Sequence, residues 1–281
     1  MFARLLRGPR AWLRRTFGIW VLSEARNVAL TWPQALLTRR RESAEVRRLQ
    51  RTASPPAALV TTIIPTYQRP KLLLAAVRSA LAQDVTDHVV IVVDDGGGLP
   101  DLPRDDRLTA VSLSSNTACL GLVRNVGLRL ARSPFVAFLD DDNTWRPDHL
   151  TVSLAELGNG ADMVYTAVER FNPDGKQRDV LSVPFDRKAL SDTSYVDANS
   201  VVLRYDSGVR FSRIPRSKTT LPKEDWEFVW RMSRKRRTVH VPVPTVRYAV
   251  NPESYYTDWA DHGAPNSART LNDPTTTGLD A

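Results

Sequence analysis

The sequence contains one cysteine, four histidines and three methionines among its 281 residues. The single cysteine, Cys119, excludes an intramolecular disulfide framework and any metal site built from several cysteines, and it fits a reducing compartment. The four histidines show no spacing that is typical of metal ligands. No stretch reaches the roughly 18 consecutive apolar residues that cross a bilayer, so the sequence predicts no membrane-spanning helix.

Negative charge is scarce at one end of the chain only. Residues 1–51 hold twelve arginines and three glutamates, a balance of +9, whereas the formal net charge of the whole chain is +8. The other residues therefore carry −1, and the charge gives no support for nucleic-acid binding by the main domain. Apolar residues make up 42% and charged residues 25% of the chain, which excludes wholesale disorder, collagen and a polytopic membrane protein.

The basic N-terminal segment permits several interpretations. Trp12, Phe17 and Trp20 lie among arginines, a pattern typical of a helix at a membrane surface, and the apolar run at 17–22 is a weak signal-peptide pattern. Alternatively, the segment packs on its own domain or on a second subunit, or stays partly disordered. The predicted location is cytoplasmic, with peripheral contact at the inner face of the membrane or a homodimer formed through residues 1–51.

Composition divides the chain into three sections. A basic extension at 1–58 contains a charged helix from Arg39 to Arg51 and ends in a Pro-rich linker. A main domain follows at 59–250. The polar tail at 251–281 is predicted to be flexible, with three aromatic residues as exceptions that could fold back onto the domain: Tyr255, Tyr256 and Trp259.

The main domain alternates β-branched apolar runs with segments of helical spacing. This alternation predicts an α/β fold with a parallel sheet covered on both faces. Strands are predicted at 59–64, 89–93, 108–113, 135–139 and 162–168, with helices at 70–82, 120–131 and 147–157. Strand-like pieces at 201–203 and 239–250 flank a further predicted helix at 224–233.

Acidic residues follow two of the predicted strands directly. Asp94 and Asp95 come after the run at 89–93, and the triplet Asp140-Asp141-Asp142 comes after the run at 135–139. In an open α/β sheet, ligands bind outside the carboxyl ends of the strands. Both clusters, together with Pro65-Thr66-Tyr67-Gln68-Arg69 after the first strand, are therefore expected at the binding edge.

Three adjacent carboxylates repel one another and favour a bound cation. With oxygen ligands alone the cation would be hard, Mg²⁺ or Mn²⁺, and Mg²⁺ commonly takes one or two carboxylates plus substrate phosphates. The alternative is a solvated turn in which Asp142 or Asn143 caps the next segment of the chain.

Four motifs in this order resemble family 2 glycosyltransferases, inverting enzymes with a GT-A fold. The resemblance covers about two thirds of the chain, from Thr61 to Val250, and implies a mixed, mostly parallel sheet flanked by helices. The motifs are Ile63-Ile64-Pro65-Thr66-Tyr67-Gln68-Arg69, Val92-Val93-Asp94-Asp95-Gly96, Gly121-Leu122-Val123-Arg124-Asn125-Val126-Gly127 leading into Phe138-Leu139-Asp140-Asp141-Asp142, and Glu224-Asp225-Trp226-Glu227 continuing to Met232.

The resemblance implies a role for each matching residue. Asp225 would be the general base that takes the proton from the acceptor hydroxyl, with Glu224 supporting it. The metal would be held by Asp142 and Asp140, and the acceptor side would involve Asn199 and Trp226. The nucleotide-sugar donor would contact Pro65, Thr66, Tyr67, Arg69, Asp94, Arg124, Asp140 and Asp141.

The implied reaction moves a hexose from a nucleoside-diphosphate sugar, preferably a UDP-sugar with dTDP- and GDP-sugars left open, to a hydroxyl group. The acceptor would be a glycan, a lipid-linked saccharide or a small-molecule aglycone. Two alternatives compete. Asp140-x-Asp142-x-Thr144 matches a pattern of haloacid-dehalogenase-type phosphatases, in which Asp140 is the nucleophile and Asp142 an acid/base. The other is a non-catalytic scaffold of the same fold.

Several single residues also have simpler interpretations. Arg124 could be a surface residue of its helix, Asp95 could shape the turn before Gly96, and Trp145 could pack in the core. The segment from Arg210 to Lys223 departs from the family pattern, because an aromatic turn expected before the last motif is reduced to a remnant at 209–211.

Overall fold

A computed structural model describes residues 19–214, 216 and 222–250. The basic stretch at 1–15, Trp12, Phe17 and the tail aromatics lie outside these residues, so the predictions for them stay predictions, as does the division into three sections. The described helices are α1 Ile19–Leu49, α2 Pro70–Leu81, α3 Leu120–Leu130, α4 His149–Gly158, α5 Arg187–Asp192 and α6 Glu224–Met232.

Nine strands form one sheet in the described part of the chain. They are β1 Val60–Thr66, β2 His88–Asp94, β3 Leu108–Ser112, β4 Phe135–Phe138, β5 Thr144–Trp145, β6 Met163–Phe171, β7 Gln177–Leu181, β8 Val201–Arg204 and β9 Thr238–Ala249. The order is β3-β2-β1-β4-β8-β6-β9-β5, with β7 beside β6. β5, β7 and β8 run against the other six strands, so the sheet is mixed rather than wholly parallel.

The buried centre of the sheet explains its sequence pattern. Every residue of β1 and β2 is buried, which requires apolar or β-branched side chains on both faces. Val90 and Val92 pack with α2 and α4 on one face, while Ile91 and Val93 pack with α3 and the end of α1 on the other. The expectation of a sheet covered on both faces is confirmed.

The parallel register brings the predicted carboxyl ends together. Thr66 at the end of β1 lies opposite Asp94 at the end of β2, and Ile63 lies opposite Phe138 at the end of β4. Asp140 follows Phe138 by two residues. The strand pairing therefore places both acidic clusters at one edge of the sheet, as the sequence predicts.

Helix α1 joins the N-terminal segment to the domain. It carries a non-helical residue at Thr31 and contains Pro33, and its last turns bury Val46 and Leu49 against α3. The prediction of a charged helix from Arg39 onward is confirmed, and its end packs on its own domain. Within residues 19–214 and 222–250, no helix combines the length and the apolar character needed to cross a membrane.

Four short elements were not predicted from the sequence, namely β5, β7, α5 and the 3-10 helix Ala198–Ser200. Two-residue β5 and the single-turn helix are too short to show a period. β7 is half-exposed and pairs only with β6, so it lacks the apolar run that marks the central strands.

Candidate active site

The guanidinium of Arg124 lies at the centre of the carboxyl edge and is fully buried. Its Nη1 donates to Asp225 Oδ1 at 2.6 Å and to Glu224 Oε1 at 3.2 Å, and its Nη2 donates to Asp140 Oδ1 at 2.6 Å. Burial lowers the pKa of Arg124, but the three carboxylates outweigh it and raise that pKa well above its usual value. The interpretation of Arg124 as a surface residue is therefore wrong.

Close packing of α3 puts Arg124 in this position. Nearly every residue of α3 is buried, and two glycines allow the approach. A Cβ on Gly127 would come within 2.6 Å of Ile63 in β1, and one on Gly121 would collide with the carbonyl oxygen of Ser212. The glycines thus let the sheet and the 211–214 segment contact α3 from either side.

Asn199 holds Asp140 in place. The backbone N–H of Asp140 donates to Asn199 Oδ1 at 2.5 Å, and Asn199 Nδ2 donates to Asp140 Oδ2 at 3.1 Å. The amide of Asn199 also donates to Asp197 Oδ1 at 2.6 Å, and Asn199 is buried. This arrangement favours a positioning role for Asn199 and does not favour the acceptor contact that the sequence analysis assigned to it.

The loop after β1 contacts the acidic triplet directly. Thr66 Oγ1 donates to Asp141 Oδ2 at 2.7 Å, and Arg69 Nη1 donates to Asp141 at 3.1 Å and to Asp142 at 3.0 Å. Burial raises the pKa of Asp141. Burial and the charges of Asp140 and Asp141 raise the pKa of Asp142 to about 6. The predicted donor residues Thr66, Arg69 and Asp141 thus form one connected group with Asp142.

The chemistry of the triplet fits a hard divalent cation shared with a substrate. In the part of the chain that the structure describes, no three His, Cys, Asp or Glu side chains are arranged to hold a metal ion by themselves. Both oxygens of Asp140 and both oxygens of Asp142 accept hydrogen bonds, and the two side chains are 24% and 21% exposed. One or two carboxylates completed by phosphate and water are the usual Mg²⁺ environment.

The loop after β2 is organised by its two aspartates. Asp94 accepts from the backbone N–H groups of Gly97 at 3.0 Å and Gly98 at 2.9 Å, and Asp95 accepts from Thr117 and Ala118 at 2.9 and 3.2 Å. Asp95 therefore anchors the turn. Asp94 is buried, so the predicted contact between Asp94 and a nucleobase stays a prediction that requires this loop to open.

Two predicted donor residues, Pro65 and Tyr67, flank Thr66 at the end of β1. Pro65 is buried within the strand, whereas Tyr67 is an exposed aromatic side chain next to Gly97. An exposed ring can present its face to a base. The position of Tyr67 thus suits the stacking role implied by the family resemblance.

The aromatic side chains nearby are mostly core residues. Trp226 is buried beside α5 and donates through Nε1 to the carbonyl oxygen of Leu190 at 2.7 Å, which does not favour its predicted acceptor contact. Trp145 is also buried, and its Nε1 donates to the carbonyl oxygen of Asn199 at 2.8 Å. Phe211, in the remnant of the aromatic turn, stacks on Phe228 at 4.0 Å.

Asp197 joins the site through Asn199, whose side chain donates to it at 2.6 Å, and neither Asp197 nor Tyr248 was among the predicted site residues. Burial and the charges of Asp225 and Asp140 raise the pKa of Asp197 to about 7. Burial, together with the charges of Asp197, Asp142, Asp140 and Asp225, raises the pKa of the Tyr248 phenol. The acidic position just before the 3-10 helix was visible in the sequence as a capping pattern, but nothing local marked Tyr248.

The fold of this chain matches that of solved structures. The structure resembles crystal structures of Staphylococcus aureus TarS residues 1–349 with UDP-GlcNAc (TM-score 0.55, 20% identity, 70% of this chain and 60% of that chain). It also resembles the mannosyltransferase PcManGT from Pyrobaculum calidifontis with GDP-Man and Mn²⁺ (TM-score 0.50, 16% identity, 82% and 70%). The architecture is that of GT-A glycosyltransferases.

The family model "Glycosyl transferase family 2" matches residues 61–214. The chain therefore belongs to glycosyl transferase family 2, whose members are sugar-transferring enzymes. It is 38% identical over 102 residues to the succinoglycan biosynthesis protein ExoW of Rhizobium meliloti. The matched region covers 33% of this chain and 32% of ExoW. The chain spans about a third of the length of the first curated relatives it matches.

Proposed function

We propose that the chain is an inverting, metal-dependent glycosyltransferase that moves a sugar from a UDP-sugar to a hydroxyl group. The observation that carries the proposal is the bridge formed by Arg124, which holds Asp140 and Asp225 at 2.6 Å each. One guanidinium thus joins the carboxylate assigned to the donor with the carboxylate assigned to the acceptor hydroxyl. A transfer reaction needs these two substrates side by side.

Asp225 is the general base in this proposal. It lies in the first turn of α6, and its side chain is 31% exposed, so an acceptor hydroxyl can reach it. Burial and the charge of Asp140 raise the pKa of Asp225, although Arg124 opposes the shift. A base with a raised pKa takes a proton from the attacking hydroxyl more readily. The acceptor oxygen then displaces the nucleoside diphosphate at the anomeric carbon in a single step, which inverts the configuration of that carbon.

The donor lies along the carboxyl ends of β1, β2 and β4 in this proposal. Tyr67 stacks on the base, Thr66 and Asp141 line the donor loop, and Arg69 faces the diphosphate, where its fixed positive charge suits dense negative charge. Asp142 with Asp140 would hold Mg²⁺ or Mn²⁺. The metal, when bound, neutralises the charge that builds on the leaving nucleoside diphosphate.

The relatives support the donor class and leave the acceptor open. TarS binds UDP-GlcNAc and PcManGT binds GDP-Man with Mn²⁺, so a nucleoside diphosphate with a divalent metal suits this chain too. We keep UDP-sugars first and GDP-sugars second. The name of ExoW connects it with succinoglycan biosynthesis, which favours a glycan or a lipid-linked saccharide over a small-molecule aglycone as acceptor.

The phosphatase alternative receives no support from the site. The phosphatase pattern would make Asp140 the nucleophile, but Arg124 bridges Asp140 and Asp225 at 2.6 Å each, and the pattern gives Asp225 no role. Three parallel strands, β1 to β3, also precede the motif. The scaffold alternative predicts that Asp225 can be replaced without consequence, and this difference decides the experiment.

The experiment compares Asp225→Asn with Asp106→Asn, a control on an exposed aspartate. UDP release from a panel of UDP-sugars is measured with Mn²⁺ and an oligosaccharide panel, and NMR reads the anomeric configuration of any product. We expect turnover to fall about 10²- to 10⁴-fold in Asp225→Asn only, while UDP still binds. Unchanged turnover in Asp225→Asn would contradict the proposed base, and a retained configuration would contradict inversion.

A further inference from the structure

Helix α1 exposes large apolar side chains along most of its length. Leu30 is 68% exposed, and Trp32 and Leu37 are each 61% exposed. Among the residues of α1 whose burial the structure describes, Val46 and Leu49 at its end are the apolar ones that enter the core. Three further apolar residues of α1 are exposed to a smaller degree, namely Leu22, Val28 and Leu36. Exposed apolar residues this numerous on one segment mark an interaction surface.

The charges on α1 are sorted by side. All three glutamates of the helix turn toward the domain: Glu24 pairs with Arg216 at 2.9 Å, Glu42 with Arg213 at 2.6 Å, and Glu45 accepts from Ser114 and Arg48. The exposed cations of the helix are Arg26, Arg39, Arg40 and Arg47, together with Arg48 beside Glu45. The outward side of α1 is therefore apolar and positively charged.

A basic cavity adjoins this helix. It has a volume of about 500 Å³, and its cationic lining is Arg204, Arg210, Arg231, Arg234, Lys235 and Arg236. Two acids also line it, and they face Arg204 and Arg236 as ion-pair partners. Burial and the charges of Arg231, Arg213 and Arg39 lower the pKa of Arg210. Arg213, three residues beyond Arg210, pairs with Glu42 of α1 at 2.6 Å, so the segment that lines the cavity packs against the end of the helix.

We infer that residues 22–41 of α1, together with the basic cavity, dock on the surface of an anionic lipid bilayer. Apolar side chains with interleaved arginines enter the boundary between headgroups and acyl chains, and anionic headgroups attract the arginines. A second copy of the same face would bring like charges together in an isologous contact. Residues 1–18 contribute five arginines and no acid, so they suit the same anionic partner and not this face.

The test uses flotation of the full chain with vesicles that contain phosphatidylglycerol and with vesicles of phosphatidylcholine alone. The variant is Leu30→Glu with Leu37→Glu. The matched control is Leu72→Glu with Val243→Glu, two exposed apolar residues on α2 and β9. We expect the wild type and the control to float with the anionic vesicles only, and the α1 variant to lose about tenfold or more in binding. High salt weakens the binding, because it screens the arginines.

Several outcomes overturn the inference. Equal flotation of the α1 variant and the control would do so, as would equal binding to both vesicle types. A wild type that stays unbound but forms dimers in sedimentation, with the dimer lost in the α1 variant, assigns the face to a second copy. If the wild type is a monomer and binds neither type of vesicle, another part of the same chain covers the apolar side of α1. An unchanged far-UV circular dichroism spectrum and a cooperative unfolding transition of the α1 variant exclude misfolding, and this control is independent of the proposed reaction.

Discussion

Arg124 and Asp225, which are 101 positions apart in the chain, meet at 2.6 Å in the candidate active site. The same guanidinium also reaches Asp140 at 2.6 Å. Because Arg124 is fully buried, it cannot turn to water if either partner is lost. Its contacts with Asp225 and Asp140 fix the distance between the residues assigned to the two substrates, and they give Arg124 a positioning role beside the donor contact that the family resemblance implies.

Replacement of Arg124 separates charge from geometry. Arg124→Met leaves the buried Glu224 and the half-buried Asp140 and Asp225 without their shared cation, and it is expected to lower the free energy of unfolding by about 3–5 kcal/mol. Arg124→Lys keeps the charge but cannot bridge two carboxylates. We therefore expect Arg124→Lys to lower turnover strongly and to lower the free energy of unfolding less than Arg124→Met does. Arg129→Met on the same helix, where the arginine is 41% exposed, should cost less than about 1 kcal/mol. Chemical denaturation and kcat measure both effects, and equal losses at the two positions would contradict the assignment.

Nucleotide binding is expected to depend on a metal and on Asp142. UDP with Mn²⁺ at about a hundredfold excess over Kd should stabilise the protein by about 2.7 kcal/mol. EDTA or Asp142→Asn should remove most of this gain, whereas Asp106→Asn should keep it. The thermal unfolding midpoint measures each case. A full shift in EDTA would contradict metal-assisted donor binding.

Asp197→Asn is expected to stabilise the protein at high pH. The folded-state pKa of Asp197 is raised to about 7, so the native state binds a proton more tightly than the unfolded state, and stability falls as pH rises through that value. The asparagine removes this effect while its oxygen still accepts from Asn199.

The gain from Asp197→Asn should be largest near pH 8 and should vanish toward pH 4. His88 and His149, whose pKa values burial lowers to about 4 and about 3, weaken both proteins alike below neutral pH, so the difference between them isolates Asp197. Denaturation at several pH values measures it, with Asp106→Asn as control. A gain that grows as pH falls would disprove the raised pKa.

Gly121→Ala tests the contact between α3 and the 211–214 segment. The added Cβ collides with the backbone oxygen of Ser212, so one of the two segments must shift, at a cost of about 1–3 kcal/mol. Gly158→Ala is the control, because a Cβ there meets nothing within 4 Å. We expect a lower unfolding midpoint and lower turnover for Gly121→Ala only, and equal stability of the two variants would contradict this packing.

The strands and helices of the main domain could be predicted because their signals are local. The β-branched run at 89–93 became β2 His88–Asp94, and the helical spacing at 70–82 became α2 Pro70–Leu81. The site was predicted in part. Thr66 and Arg69 meet the acidic triplet as expected. Asn199 and Trp226 are buried instead, and this could not be predicted because their partners come from distant segments of the chain.

The sequence by itself determined the order of the elements and the edge at which the acidic clusters lie, because strand periodicity and strand ends are written in neighbouring residues. Only the tertiary structure decided which carboxylates share Arg124, that Asn199 serves Asp140 across 59 positions, and that α1 leaves apolar side chains exposed. Those outcomes depend on contacts between residues far apart in the chain, and the local pattern around each residue does not contain its partner.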